Sequence, residues 1–314
     1  MGGGRDYPAP LPDVADYTVT FDGPDDPLHP HNWPLKKKVW MCTVLAFDTL
    51  CIAFGSAIVS GAVPYMSAIF HVHYVVSTLA LSLYIFGFAT GPVVWAPLSE
   101  LYGRIPVLFA SSFLFTVFNF AVACSDRIES VLICRFFAGC LGAAPMVVVP
   151  ASFADMFGNK TRGTVVVFFA LAVSVGPTMA PFLSAFIAKN SSMGWRWESF
   201  MVGIISVPQL FVIPFMNETH HPIILVNKAR EIKRRTGIWG IHAPHDEFSL
   251  TIKEIVENNL TRPLHMLFTE PILFTVSLYN AFIYGMLYLF LTAYPIVFQL
   301  GYKMAPGTIG FEQW

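Results

Sequence analysis

The chain has 314 residues, of which 55% are hydrophobic, 15% aromatic and 12% charged, and its net charge is −1. A soluble domain of this size carries about 25% charged residues, so half the charge needed for a water-facing surface is missing and lipid is the expected solvent. The near-neutral balance also excludes a nucleic-acid binder held by a global basic field.

The first segment, residues 1–38, contains "PDVADYTVTFDGPDDPLHPHNWP", rich in Pro, Gly and Asp with little to bury, and is expected to be a mostly disordered tail. Seven stretches follow that approach or exceed the about 20 apolar residues a helix needs to cross hydrocarbon: 39–65, 74–98, 106–124, 131–154, 163–188, 200–216 and 271–300. The first starts too far into the chain and runs too long to be the apolar core of a signal peptide. The first six form one group, 39–216. Residues 217–270 form a long connection with a basic run from Lys228 to Arg235 and a later "EFSLTIKEIVENNL", whose apolar spacing predicts a surface helix. The seventh span, 271–300, leads into a short tail, 301–314.

Lys and Arg placement sets the expected orientation. Fourteen of the 19 fall on the side of the amino-terminal tail, four on the other side, and Arg135 lies within a span. By the positive-inside rule the amino terminus is cytoplasmic in a multi-pass membrane protein.

The five cysteines form no Cys-x-x-Cys pair and are read as small core residues. His29 and His31 are two apart, as are His71 and His73, and His220 adjoins His221. No carboxylate or Cys group accompanies any of these pairs at metal-ligand spacing, so they read as loop histidines and no metal is assigned.

Charges at membrane depth are costly and mark pathways or buried pairs. Two occur: Asp48, well inside the first span, and Arg135 in the fourth. Asp48 is either a proton carrier or a buried carboxylic acid that stays neutral. Asn119, Tyr84, Tyr279, Asn280, Tyr284 and Tyr288 lie on the spans and either line a cavity or pack against helices and lipid; Asn280 is the foremost, since an unpaired amide in lipid is costly. Asn190, in "NSS" on an outer connection, is a glycosylation acceptor.

The turn between the second and third spans, "GPVVWAPLSELYGR" (Gly91 to Arg104), is unusual for so apolar a chain. Gly103 permits tight backbone geometry, and Glu100 and Arg104, four apart, share a face if the turn is helical. The string resembles the signature loop of the major facilitator superfamily, Gly-x-x-x-Asp/Glu-x-x-Gly-Arg-Arg/Lys, and more closely its fungal drug:proton antiporter branch. Gly91, Pro92, Ala96, Pro97, Leu98, Ser99, Glu100, Gly103 and Arg104 match, while Ile105 departs where a second basic residue is usual. "RFFAG" (Arg135 to Gly139) is similar to the motif of the fourth helix, and "VGPTMAPFLSAF" to the antiporter motif of the fifth. In the latter Gly176, Pro177, Pro181 and Phe186 are kept, and Ala180, Ser184 and Ala185 replace glycines. "NWPLKKK", "GWRWESF", "NETHHP" and "YNAFIYGMLYLFLTAYPIVF" match further landmarks, so the resemblance covers roughly residues 32–302.

The resemblance implies an all-α integral membrane fold, the amino-terminal six-helix half of a major facilitator plus its seventh helix. It implies that Arg135 lies on the proton or substrate path. It implies that Gly91, Glu100, Gly103, Arg104, Asp155 and Arg162 form a conformational latch. It also implies that Gly176, Pro177 and Pro181 bend the fifth helix and seal it against proton leak. Small-molecule export coupled to the proton gradient, without cofactor, follows. The expected location is the plasma membrane, with the vacuolar membrane as the alternative. Neither a catalytic constellation nor a Walker-type phosphate loop is present, so no enzymatic or ATP-driven activity is read. Residues after the seventh span no longer resemble the family, and a product truncated there is expected. Two other readings stand beside the transporter: a non-transporting half-transporter serving as subunit or regulator, and a seven-helix receptor, which the charge bias opposes.

Overall fold

The computed structural model describes residues 17–189, 194–238, 240–244, 261–295 and 297. Asn190 and the predicted surface helix over 247–260 lie outside them. Every named element among the described residues is helical, and seven helical segments are long and apolar enough to span a membrane. They are Leu35–Gly61, Tyr74–Tyr102, Arg104–Ala123, Ile128–Met156, Asn159–Ile187, Arg196–Phe215 and Pro271–Phe290.

In chain order the helices are α1 (Leu35–Ala57), α2 (Val63–Phe70), α3 (Tyr74–Tyr102), α4 (Arg104–Ala123), α5 (Ile128–Gly142), α6 (Ala144–Met156), α7 (Asn159–Lys189), α8 (Arg196–Val212), α9 (His221–Thr236), α10 (Arg262–Thr269) and α11 (Pro271–Pro295). The fourth span is two helices, because the chain leaves helical geometry at Ala143 (φ −79°, ψ −9°) and Pro145 opens α6 without an N–H to give. The fifth is one. Pro177 and Pro181 sit inside an uninterrupted α7; each proline removes a single N–H, which a long membrane helix tolerates.

Apolar side chains face outward over much of the bundle, with Phe86, Phe168, Phe211 and Phe215 each at least 60% exposed. Such an apolar exterior suits a hydrocarbon surrounding rather than water. Inside, glycines set the spacing. A Cβ at Gly87 would meet Phe136 O and lie 2.8 Å from Cys140 N, one at Gly91 would meet Cys140 O and lie 2.5 Å from Ala143 Cβ, and one at Gly139 would meet Tyr84 O. Helices α3 and α5 therefore touch backbone to backbone, as small-residue seams in membranes allow. Trp95 Nε1 closes the seam by donating to Cys140 O at 3.0 Å. Gly176 does similar work on α7, where a Cβ would lie 2.8 Å from Phe54 N of α1.

Residues 17–34 are built in rather than loose, against the reading of the tail as disordered. Thr18 bridges to His242, and Val19 N donates to His242 O at 3.0 Å. Asp26 is buried; its carboxylate accepts the N–H groups of Asp22 (2.9 Å) and Leu28 (2.8 Å) and pairs with Lys228 Nζ of α9 at 3.4 Å. Lys228 also pairs with Asp22 at 2.8 Å. The basic run of the long connection is thus a docking partner for the acidic tail. α11 touches the six-helix bundle through Leu287 and Tyr288, while Asn280 and Tyr284 are exposed.

Two outcomes are expected. Gly139→Leu forces the α3–α5 seam apart and should cost about 1–3 kcal/mol or more, whereas Gly285→Leu, on α11 with nothing within 4 Å, should be neutral; size-exclusion monodispersity and thermal unfolding in detergent compare them. Backbone donors to Asp26, then Lys228, hold its carboxyl below the usual aspartate range. Its contribution to docking is therefore complete above about pH 3.9 and is lost as pH falls below that toward the lowered value. Asp26→Asn should make the tail cleavable at neutral pH in limited proteolysis.

Candidate functional site

Two polar groups stand out in an otherwise apolar bundle. The first lies in the interior. Arg135, on α5, is 1% exposed; Nη1 donates to Gly55 O of α1 at 3.1 Å and Nη2 to Ser199 Oγ of α8 at 2.8 Å, while Nε has no partner. Its guanidinium lies 5.9 Å from the ring centre of Tyr84, whose hydroxyl donates to Ile52 O at 2.8 Å. Glu198, in the first turn of α8, is fully buried beside Ser199 and interacts electrostatically with Arg135. Ser184 Oγ donates to Glu198 Oε1 at 2.6 Å, and Oε2 has no partner among the described residues. Ser184 is one of the three residues that depart from glycine in the antiporter-like motif. The departure supplies Glu198 with its donor.

Asp48, halfway along the first span, is 1% exposed and repeats the pattern. Ser112 Oγ donates to Oδ1 at 2.9 Å and Oδ2 has no partner. A carboxyl held by one oxygen with the other free takes or releases a proton without losing its anchor. Asn119 is also buried, but its amide donates within its own helix to Phe115 O at 2.8 Å. Tyr288 reaches the interior, its hydroxyl 2.8 Å from Ser56 Oγ. Asn280 and Tyr284 do not join them.

The second group closes the bundle end that carries the tail. α3 stops at Gly103 (φ 97°, ψ 167°), a backbone that L side chains rarely adopt, and α4 starts at the next residue. The first N–H groups of α4 have no helical partner. Glu218, just after the sixth span, provides one: its Oε1 accepts from Arg104 N (2.9 Å), Thr219 N (2.9 Å) and His220 N (3.0 Å), and Oε2 from Ile105 N (3.2 Å). A Cβ at Gly103 would lie 2.5 Å from Glu218 Oε2. Glycine is thus required twice over, for its φ and for this approach.

Arg104 then points at α6. Nη1 donates to Ser99 Oγ at 2.8 Å, and Nε pairs with Asp155 Oδ2 at 3.4 Å. Glu100 is exposed and forms no ion pair among the described residues, because the break at Gly103 removes the continuous turn that would have put it on the face of Arg104. Arg162, in the first turn of α7, is exposed and likewise unpaired among the described ion pairs. Of the residues expected in a latch, the structure brings Arg104 and Asp155 together, with Ser99 and Glu218 beside them. Gly91 belongs to the helix seam.

The Asp155 carbonyl gathers two more groups, His31 Nδ1 at 2.9 Å and His221 Nε2 at 3.2 Å. His29 lies against both, with ring centres 5.0 Å from His31 and 4.6 Å from His221. Glu198, Glu218 and this histidine group were missed as sites in the sequence. Glu198 had one visible signal, a carboxylate in the first turn of an apolar span; the others are made by contacts across more than 100 positions.

Residues 45–311 match the family model of the Major Facilitator Superfamily. The chain is 54% identical over 308 residues to the major facilitator superfamily multidrug transporter FLU1 of Candida albicans, covering 98% of this chain and 50% of that relative. It is 50% identical over 303 residues to the multidrug transporter TPO1_2 of Candida glabrata, covering 96% and 52% respectively. Against the citrinin biosynthesis cluster MFS transporter mrr1 of Monascus ruber it is 39% identical over 301 residues, covering 94% and 60%. The chain spans about half the length of the first two relatives. Among solved structures, the partially occluded inward-open xylose transporter XylE from E. coli matches with a TM-score of 0.64 at 16% identity, covering 88% of this chain and 67% of that one. A bacterial homologue of the human lysosomal transporter Spinster, inward-facing and unoccupied, matches with a TM-score of 0.54 at 14% identity, covering 89% and 59%. At these identities the likeness concerns the fold.

Removing the acceptor at the start of α4 tests the latch. Glu218→Ala removes the acceptor of four backbone N–H groups, two of them at the start of α4, and should destabilise the chain by about 1–3 kcal/mol, Glu218→Gln by less, and Glu100→Gln by under about 0.5 kcal/mol, read as shifts in thermal unfolding of the detergent-purified protein.

Proposed function

Because the chain belongs to the major facilitator superfamily and resembles its fungal multidrug transporters over nearly all its length, we propose that it serves proton-coupled efflux of small toxic compounds or secondary metabolites. The observation that carries this reading is the buried trio of Arg135, Glu198 and Asp48 inside a lipid-facing bundle. Buried charge in a membrane interior is costly and persists where a pathway uses it. Two carboxyls with one anchored and one free oxygen are suited to carry protons, and Arg135, anchored to α1 and α8, senses whether Glu198 is charged.

Arg104, Asp155 and Glu218 act as the gate at the opposite end of this machinery, on the side carrying most of the Lys and Arg residues, which the charge rule places in the cytoplasm. The Arg104–Asp155 pair is largely buried, with side chains 9% and 18% exposed, but at 3.4 Å it is longer than a well-made charge-assisted bond, and a loosely made pair suits a gate that opens in every cycle. The names of the relatives, multidrug and citrinin-cluster transporters, support drug-like or metabolite cargo, and the plasma membrane is the fitting location.

The test is transport by the chain reconstituted in liposomes under an imposed pH gradient, using a lipophilic cationic dye as cargo. Gradient-dependent dye movement that a protonophore abolishes is expected, falling below roughly a tenth in Arg135→Ala, equivalent to about 1.4 kcal/mol, with partial recovery in Arg135→Lys. Dye movement indifferent to the protonophore, or intact in a well-folded Arg135→Ala, refutes the proton coupling.

A further inference from the structure

The histidines that the sequence leaves as loop residues form the most concentrated group of metal-ligating side chains among the described residues. His29 caps the short helical turn Pro30–Asn32 of the tail, His31 lies within that turn, and His221 is the first residue of α9, some 190 positions away. One ring nitrogen from each lies within 4.8 Å of those of the other two. We propose that His29, His31 and His221 form a binding site for a divalent first-row transition-metal ion of the Zn2+ class, which clamps the amino-terminal tail and α9 onto the Arg104–Asp155 latch.

The chemistry of the donors fits. Three imidazoles with a fourth position open to water or another ligand are an established zinc set, and imidazole favours zinc, copper and nickel over hard cations such as magnesium. The orientation of two rings is already fixed. A carbonyl oxygen only accepts, so His31 Nδ1 and His221 Nε2 donate to Asp155 O, leaving His31 Nε2 and His221 Nδ1 with lone pairs. Metal-ligating histidines are commonly oriented by such a carbonyl. His29 Nδ1 accepts only the long 3.2 Å bond from the His31 N–H. Ligands at about 2.0–2.1 Å from a tetrahedral ion stand about 3.4 Å apart. One nitrogen from each ring already lies within 4.8 Å of the others, so a closure of up to about 1.4 Å, with ring rotation in partly exposed side chains, brings the three donors onto one ion.

Ligation requires a neutral imidazole. Burial, then the neighbouring His29, holds both His31 and His221 below the usual histidine range. The charged groups nearby are Lys38, which donates to His31 O at 2.8 Å, and the Asp155 carboxylate, already shared with Arg104. The ion would join three segments: the tail, the end of α6 through the Asp155 carbonyl, and the start of α9.

The experiment uses the whole chain, purified without a polyhistidine tag. Zn2+ titration by calorimetry should show one site per chain, weakened about 10–100-fold in His31→Gln, whose amide can still donate to the Asp155 carbonyl, and in His29→Gln with His221→Gln. His71→Gln and His73→Gln should leave it unchanged. Zn2+ should also slow protease cleavage of the tail in the wild type and not in the variants. Stoichiometric Cu2+ added to the wild type should give an electron paramagnetic resonance spectrum with coupling to imidazole nitrogens, a readout that needs no variant. Absence of that coupling, or Zn2+ binding of equal strength in wild type and His31→Gln, overturns the site.

Discussion

The tail-bearing end of the bundle is organised by one carboxylate. Glu218 follows the sixth span, yet its oxygens take the first two N–H groups of α4, the helix of the third span. A helix that begins at a lipid boundary cannot leave those donors to chance, and the cap ties the exit of one span to the entry of another more than 100 positions earlier in the chain. Gly103 must be glycine for the carboxylate to reach. Arg104 is then held against α6, where its partner Asp155 also receives two histidines on its carbonyl. Remove the cap and the arginine, the aspartate and the docked tail lose a common reference.

The interior obeys a different rule. Water is scarce there, so polar side chains answer to serines and backbone carbonyls: Ser112 to Asp48, Ser184 to Glu198, Ser199 and Gly55 O to Arg135. Each of the three charged groups is anchored and each keeps one polar atom without a partner. A fully satisfied buried network would be rigid; one with a free position on every member can change its protonation and shift its bonds.

The fold was largely legible, and for a physical reason. Spanning hydrocarbon demands about 20 apolar residues in a row, a constraint written locally, and the break at Gly103 and the depth of Asp48 and Arg135 follow from position alone. Contacts between spans are not written locally. Glu100 stood four residues from Arg104 and looked like its partner, whereas the partners are Asp155 and Glu218, brought in by helix packing. The tail read as disordered because its acidic residues lack neighbours in sequence; Lys228, 202 positions from Asp26, supplies them. Asn280 is exposed on α11, and no local rule says which face of a span meets protein.

The glycine seam between α3 and α5 carries a consequence for motion. Where side chains interdigitate, two helices can slip by hopping rotamers. Where main chain rests on main chain, as at Gly87, Gly91 and Gly139, nothing is available to hop. The second and fourth spans therefore travel as one beam. Were the bundle to change form, the bend would fall outside this seam, and the beam would be the lever arm between the two membrane faces.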